Sequence, residues 1–181
     1  MSKLIDIDIF RNNIISLKEA SYDDKNNCYM TSSNIEVIDF DKVKREYLNN
    51  LGLSEECAKS VDAIIDYNGI IDYKGNVILI EFKNGKMKNE KKAVKEKIKD
   101  SLLIFGDIIG KTISSIRNDT KFILVYNESK NSKIEISKSV FNRAGEEIIR
   151  FDLEKFKGLY FQEIHTYTEE EFEKYIKKIC N

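Results

Sequence analysis

The spacing of apolar residues divides the chain into helical and extended segments. Apolar positions recur at helical spacing in two places, which predicts helices over residues 41–51 and 88–109. Asp39 or Asp41 is placed to cap the first of these helices, and Gly52 follows its last turn, where glycine commonly ends a helix. The second helix carries the longer apolar stripe, so we expect it to cover a sheet.

Short apolar runs predict the strands. Residues 61–66 and 77–83 form two strands separated by turn signals, and residues 122–126 form a third. The strand over 77–83 begins with four consecutive apolar residues, which indicates burial on both faces between helices. Weaker patterns predict further short strands over residues 35–38, 134–136, 148–151 and 158–165.

The two ends of the chain are less regular. Residues 1–34 have apolar positions that suit either a strand or a short helix. Thr168 and Glu171 form a capping box, which predicts a last helix that ends near Ile179. The whole order predicts one α/β domain over residues 1–181, with a small mixed central sheet flanked by helices.

Composition restricts the classes of function. Charged residues make up 34% of the 181 residues, yet the net charge is −1, so any affinity for nucleic acid must come from a local patch. No apolar run approaches the ~20 residues of a membrane span, so we expect no membrane association. Three scattered cysteines and the lone His165 argue against a zinc site or histidine-based catalysis, and we interpret His165 as structural. Without the pattern of a signal peptide, we expect a cytoplasmic protein with reduced thiols.

The strand over 77–83 ends with two charged residues of the kind found in catalytic sites. Glu81 and Lys83 alternate with Phe82 and therefore point to one face. If the preceding strand pairs antiparallel with Asp62 opposite Glu81, then Asp66 falls opposite residue 77, and Asp62, Glu81 and Lys83 meet at one end of the pair. Two carboxylates and an ammonium group suit a hard divalent cation and an activated water.

This arrangement resembles the PD-(D/E)XK nuclease superfamily, which has the restriction-endonuclease-like fold. The resemblance covers roughly residues 40–126 and implies an αβββαβ core, with an N-terminal extension and a C-terminal strand–helix tail outside it. It implies phosphodiester hydrolysis with Mg²⁺ or Mn²⁺, usually on DNA. It also implies that Asp62 and Glu81 bind the metal, with the Phe82 carbonyl as a third ligand, and that Lys83 positions the attacking water.

Several alternatives to this assignment stay open. Asp66 and Asp72 compete with Asp62, because a tight turn at Asn68-Gly69 would shift the register and turn Asp72 toward the site. The family often adds a glutamate from its first helix, and Glu46 is the candidate for that role. Val61 also stands where the family pattern has proline.

A lysine-rich segment follows the strand and has two interpretations. One is that it contacts nucleic-acid phosphates, and the other is that it forms the solvated face of the helix over 88–109. Lys97 flanks the apolar stripe and is a further catalytic candidate. The lysines predicted to contact nucleic acid are Lys86, Lys88, Lys91, Lys92 and Lys95.

These patterns lead to two expected functions. The first is a Mg²⁺-dependent endonuclease acting on nucleic acid, with DNA favoured over RNA. The second is a nuclease-fold protein without catalysis that acts as a protein-binding or regulatory module. Either protein can form a homodimer or bind a protein partner, and no sequence feature identifies the surface.

Overall fold

The computed structural model describes residues 4–66, 77–131 and 148–179. In chain order, the strands are β1 (Ile14–Ser16), β2 (Tyr22–Asp23), β3 (Cys28–Tyr29), β4 (Glu36–Asp39), β5 (Ala63–Asp66), β6 (Val77–Lys83), β7 (Thr120–Tyr126) and β8 (Glu163–Thr168). The α-helices are α1 (Asp8–Arg11), α2 (Leu17–Ala20), α3 (Phe40–Asn50), α4 (Met87–Ile108), α5 (Ile113–Ile116) and α6 (Glu169–Ile179). Short 3-10 turns connect several of them.

A mixed six-stranded sheet organises the described part of the chain. Its strand order is β1-β4-β5-β6-β7-β8, with antiparallel pairs up to β6 and parallel pairs from β6 to β8. Because parallel neighbours need a crossover, the 22-residue helix α4 returns the chain from the end of β6 to the start of β7. Strands β2 and β3 form a separate two-stranded hairpin.

Helix α3 forms where the sequence supplies a signal at each end. The Asp39 carboxylate accepts a hydrogen bond from the Lys42 amide and caps the first turn. At the other end Gly52 has φ +71°, a conformation that costs glycine little, and the amide of Leu53 donates to the Leu48 carbonyl in a Schellman motif. The predicted helix over 41–51 is therefore confirmed within one residue of each end.

The sheet separates two apolar layers. Val77 and Leu79 of β6 pack with the stripe of α4 and with α3, whereas Ile78, Ile80 and Phe82 pack with α6 on the other face. This double cover confirms that the strand is buried on both faces. It also places Glu81 and Lys83, in the same alternation as Leu79, on the face covered by α3 and α4.

The predicted register between the two strands is confirmed over their shared length. Asp66 pairs with Val77 and Ala63 with Ile80. The ladder then changes, because the Asp62 amide donates to the Ile80 carbonyl at 3.0 Å. Asp62 consequently lies just before β5, beside the end of β6.

The weaker strand predictions are not all confirmed. The strand expected over 148–151 is wrong: Phe151 and Asp152 have φ of 65° and 59°, which a strand cannot contain, and the Arg150 amide donates to the Thr166 hydroxyl instead of to a backbone ladder. The strand expected over 158–165 begins only at Glu163, because residues 158–160 form a turn and Phe161 makes only an isolated bridge with Lys157. The strand predicted over 134–136 lies outside the described residues.

The capping box predicted for the last helix is confirmed, since the Glu171 amide donates to the Thr168 hydroxyl and the Thr168 amide to the Glu171 carboxylate. The coarse prediction of an α/β fold with a mixed sheet and flanking helices is also confirmed. Among the helices of the described residues, none has the length and hydropathy needed to cross a membrane.

Candidate active site

Four charged side chains meet where β5 begins and β6 ends. Asp62, Glu81 and Lys83 come together there as the sequence predicts, and Lys97 reaches the same point from α4. The Lys83 ammonium lies 2.9 Å from Glu81 Oε1. Residues separated by up to 35 positions in the chain thus form one cluster under helix α4.

Lys97 is the centre of this cluster. Its Nζ lies 3.0 Å from Asp62 Oδ1, 2.8 Å from Glu81 Oε1 and 3.0 Å from Glu81 Oε2. Burial by itself acts to lower the pKa of Lys97, but the facing carboxylates of Asp62 and Glu81 outweigh it and raise that pKa. The side chain therefore stays an ammonium ion that bridges two carboxylates.

Glu81 is the most deeply buried member, with none of its side chain exposed. Its burial, together with the nearby charge of Asp62, raises its pKa to about 7, and the attraction of Lys97 and Lys83 opposes this rise. Burying a carboxylate is costly unless it is paired, and here two ammonium groups supply the pairing.

Asp62 joins the cluster to the backbone of β6. Its Oδ2 accepts a hydrogen bond of 2.6 Å from the Phe82 amide. Because the regular ladder has ended, this carboxylate supplies the acceptor that a strand neighbour would otherwise provide. The Phe82 carbonyl points to the same side of β6 as its amide, which places it on the side of Asp62.

A further acid reaches the cluster from α3, and it is not the one the sequence predicted. Asp41 accepts a hydrogen bond from the Ser60 hydroxyl. Burial and the charge of Asp62 raise its pKa, while Ser60 and Lys97 act in the opposite direction. Glu46, the predicted helix acid, is instead bonded to Asn13 at 2.9 Å and does not line this site.

An open cleft of about 490 Å³ gives access to the cluster. Asp62, Lys83 and Lys97 line it on one side, and the β2–β3 hairpin lines it on the other. The buried amide of Asn84 fastens the hairpin to the end of β6, because its Nδ2 donates to Asp23 Oδ2 at 2.9 Å and its Oδ1 accepts from Asn127 at 2.8 Å. Asn84 was not identified from the sequence, although it directly follows Lys83.

The five predicted nucleic-acid lysines do not line this cleft. Lys91 and Lys95 face Asp152 at 3.2 and 3.9 Å, and Lys92 lies 3.8 Å from Glu96. Lys86 and Lys88 are exposed at the start of α4. The prediction that this segment contacts phosphates therefore concerns a surface beside the cleft rather than its lining.

Asp66 and Asp72 are the sequence-based alternatives to Asp62 as the metal-binding aspartate. Asp66 lies at the opposite end of β5 and accepts a hydrogen bond from the Leu4 amide at 2.7 Å, so the structure does not bring it to the cluster. Asp72 lies outside the described residues. His165 contacts Glu163 and Tyr167 on β8, in keeping with a structural role.

The oxygen atoms of this cluster are the type of ligand that a hard divalent cation prefers. Asp62, Glu81 and the Phe82 carbonyl offer oxygen ligands, and magnesium commonly combines one or two carboxylates with water. Within the described ranges, no group of three His, Cys, Asp or Glu side chains is arranged to hold a metal ion. Any such ion must therefore rely on two carboxylates, backbone oxygen and water, at a position where the Lys97 ammonium now lies.

Searches of protein-family models, curated proteins and solved structures found no significant match to this chain.

Proposed function

We propose that this protein is a phosphodiesterase of the PD-(D/E)XK type that cleaves nucleic acid, DNA in preference to RNA, with Mg²⁺ or Mn²⁺. The observation that carries the proposal is the meeting of Asp62, Glu81 and Lys83 at one end of the sheet, beside an open cleft. Within the described residues, α3, β5, β6, α4 and β7 share part of the order of the family core, with two strands between the helices where that core has three.

Each residue of the cluster has a role in this proposal. Asp62, Glu81 and the Phe82 carbonyl would hold the cation, which when bound lowers the pKa of a water ligand and neutralises phosphate charge. Lys83, 17% exposed at the cleft, would orient the attacking water and stabilise negative charge that develops on the phosphate oxygens. The Phe82 amide fixes the Asp62 carboxylate in position.

The charge of the cleft supports a need for a cation. Five acidic side chains face three lysines in its lining, so a phosphodiester entering the cleft meets a net negative surface. A bound divalent cation would offset that negative charge at the scissile phosphate. The charged lining residues are Asp23, Asp24, Asp41, Asp62 and Glu90, against Lys25, Lys83 and Lys97.

The direct test is cleavage of DNA and RNA by the purified protein. We expect activity with Mg²⁺ or Mn²⁺ that EDTA removes, and a fall on the order of 100-fold or more in Lys83→Ala, because a preorganised charge near the reacting phosphate is lost. Lys99→Ala, on the exposed face of α4, is the matched control and should keep the activity. Cleavage that survives both EDTA and Lys83→Ala would refute the mechanism.

One observation favours the second candidate function, a binding module without catalysis. Lys97 already satisfies both Asp62 and Glu81, so the cluster is neutralised without a metal. Calorimetry separates the two functions: an absence of Mg²⁺ and Mn²⁺ binding, together with tight binding of a protein partner, would support the module.

A further inference from the structure

Lys97 occupies the position between the two carboxylates that a shared cation would take. Its ammonium nitrogen contacts three oxygens, one from Asp62 and two from Glu81, all within 3.0 Å. Glu81 Oε1 is buried between two ammonium groups, 2.8 Å from the Lys97 Nζ and 2.9 Å from the Lys83 Nζ. The carboxylates thus face a positive centre rather than a neutral donor.

We infer that Lys97 is a built-in counter-ion that a divalent metal must displace, so that metal entry and phosphate binding are coupled. The inference rests on the proposed function, because it takes Asp62 and Glu81 as the metal-binding carboxylates. A metal ion shared by these oxygens would approach each of them to about 2.1 Å, well inside the contacts that Lys97 makes now. Two cations cannot occupy that space together, because their charges repel strongly at so short a distance beside the buried Glu81 carboxylate.

The structure also provides a place for the displaced ammonium group. Lys97 lines the cleft and is 19% exposed, so its long side chain can turn toward the open space. Asp41 lines the same cleft, and its charge already acts on Lys97. A phosphate of the bound strand would be a second acceptor for the released ammonium group.

This exchange has a thermodynamic consequence. In the free protein, metal binding must break the contacts of Lys97, so metal affinity is weak. When a phosphate accepts the ammonium group, that cost falls, and by linkage the metal strengthens phosphate binding by the same factor. The device would make metal binding tighter in the complex with substrate than in the free protein.

The first arm of the test measures Mn²⁺ binding by titration calorimetry at pH 8 without nucleic acid. Lys97→Met keeps the length of the side chain but removes its charge, and we expect its Kd for Mn²⁺ to fall by about tenfold relative to the unmodified protein. Lys99→Met, two positions along the same helix, should bind Mn²⁺ like the unmodified protein. Equal or weaker Mn²⁺ binding by a folded Lys97→Met protein would overturn the inference, as would no binding by either protein.

The second arm uses the unmodified protein and does not depend on a variant that folds. Lysines are acetylated with an amine-reactive ester, and the modification of each lysine is followed by mass spectrometry with and without Mg²⁺. We expect Mg²⁺ to increase the acetylation rate of Lys97 by about fivefold, because the ammonium group leaves its two carboxylates, and to leave Lys99 unchanged. A Lys97 rate that stays constant or falls would overturn the inference.

These outcomes are separate from failure of the proposed function. Tighter Mn²⁺ binding by Lys97→Met without any nucleic-acid cleavage supports the exchange and rejects the nuclease. Metal-dependent cleavage with unchanged Mn²⁺ binding in Lys97→Met supports the nuclease and rejects the exchange.

Discussion

Burial of Glu81 makes the stability of the metal-free protein depend on pH in a definite direction. The pKa of Glu81 is raised from 4.5 to about 7, chiefly because its carboxyl is buried. Between pH 4.5 and about pH 7, Glu81 therefore stays protonated in the folded protein, whereas the unfolded chain has already released that proton. Stabilisation by the protonated carboxyl is complete below pH 4.5 and is lost as the pH rises to about 7.

The raised pKa sets the size of this effect. Each pKa unit is equivalent to about 1.4 kcal/mol, so ionisation of Glu81 lowers the free energy of unfolding by about 3 kcal/mol across this window. Glu81→Gln cannot ionise and removes the effect. We expect the stability of Glu81→Gln, relative to the unmodified protein, to rise by about 3 kcal/mol from pH 4.5 to pH 7 and to stay constant above it.

Urea unfolding in EDTA at several pH values measures this difference. Other acids also contribute to the pH dependence, and the comparison of two proteins that differ only at Glu81 cancels them. Glu154→Gln, which removes an exposed carboxylate, should run parallel to the unmodified protein. A constant difference between Glu81→Gln and the unmodified protein, or one of opposite sign, would refute the reasoning and show that Lys83 and Lys97 keep Glu81 ionised.

Three further changes test the packing around the site. Leu102→Ala in the buried stripe of α4 should lower the free energy of unfolding by about 2–5 kcal/mol, whereas Leu103→Ala, 61% exposed on the same helix, should change urea unfolding little. Asn84→Ala should cost about 1–3 kcal/mol and speed hydrogen exchange in the β2–β3 hairpin, because it removes the hydrogen bonds that join Asp23 and Asn127 to the end of β6; unchanged exchange would contradict this role. Gly52→Ala should cost about 1 kcal/mol in thermal or urea unfolding, since φ there is +71°, whereas Gly85→Ala meets only ordinary contacts; equal costs would argue against the helix-end assignment.

The sequence predicts the elements whose periodicity is strong. The long apolar pattern of α4 fits only a helix, and that of β6 fits only a strand. The bounds of both elements are therefore predicted within two residues. The hairpin β2–β3 was not predicted, because its strands are two residues long and lie in a polar segment. Residues 148–151 have the composition of a strand, but the left-handed backbone at Phe151 is decided by packing, which the pattern does not contain.

The site is predictable only in part, for a related reason. Glu81 and Lys83 break an apolar strand, and a buried charge needs a partner, so their importance is visible in the sequence. Lys97 is visible only as a residue beside the apolar stripe of α4. Asp41 resembles an ordinary acid in the first turn of α3, and no sequence signal separates it from a helix cap, whereas the prediction of Glu46 rests on the family resemblance alone.

The central claim is that Asp62 and Glu81 form a divalent-cation site at the end of the sheet. A crystal structure of the protein soaked in Mn²⁺, with anomalous data collected at the manganese edge, tests this claim most directly. We predict an anomalous peak within coordinating distance of both carboxylates, with the Lys97 ammonium withdrawn into the cleft. A structure without a peak there, or with Asp62, Glu81 and Lys83 turned away from one another, would contradict the account.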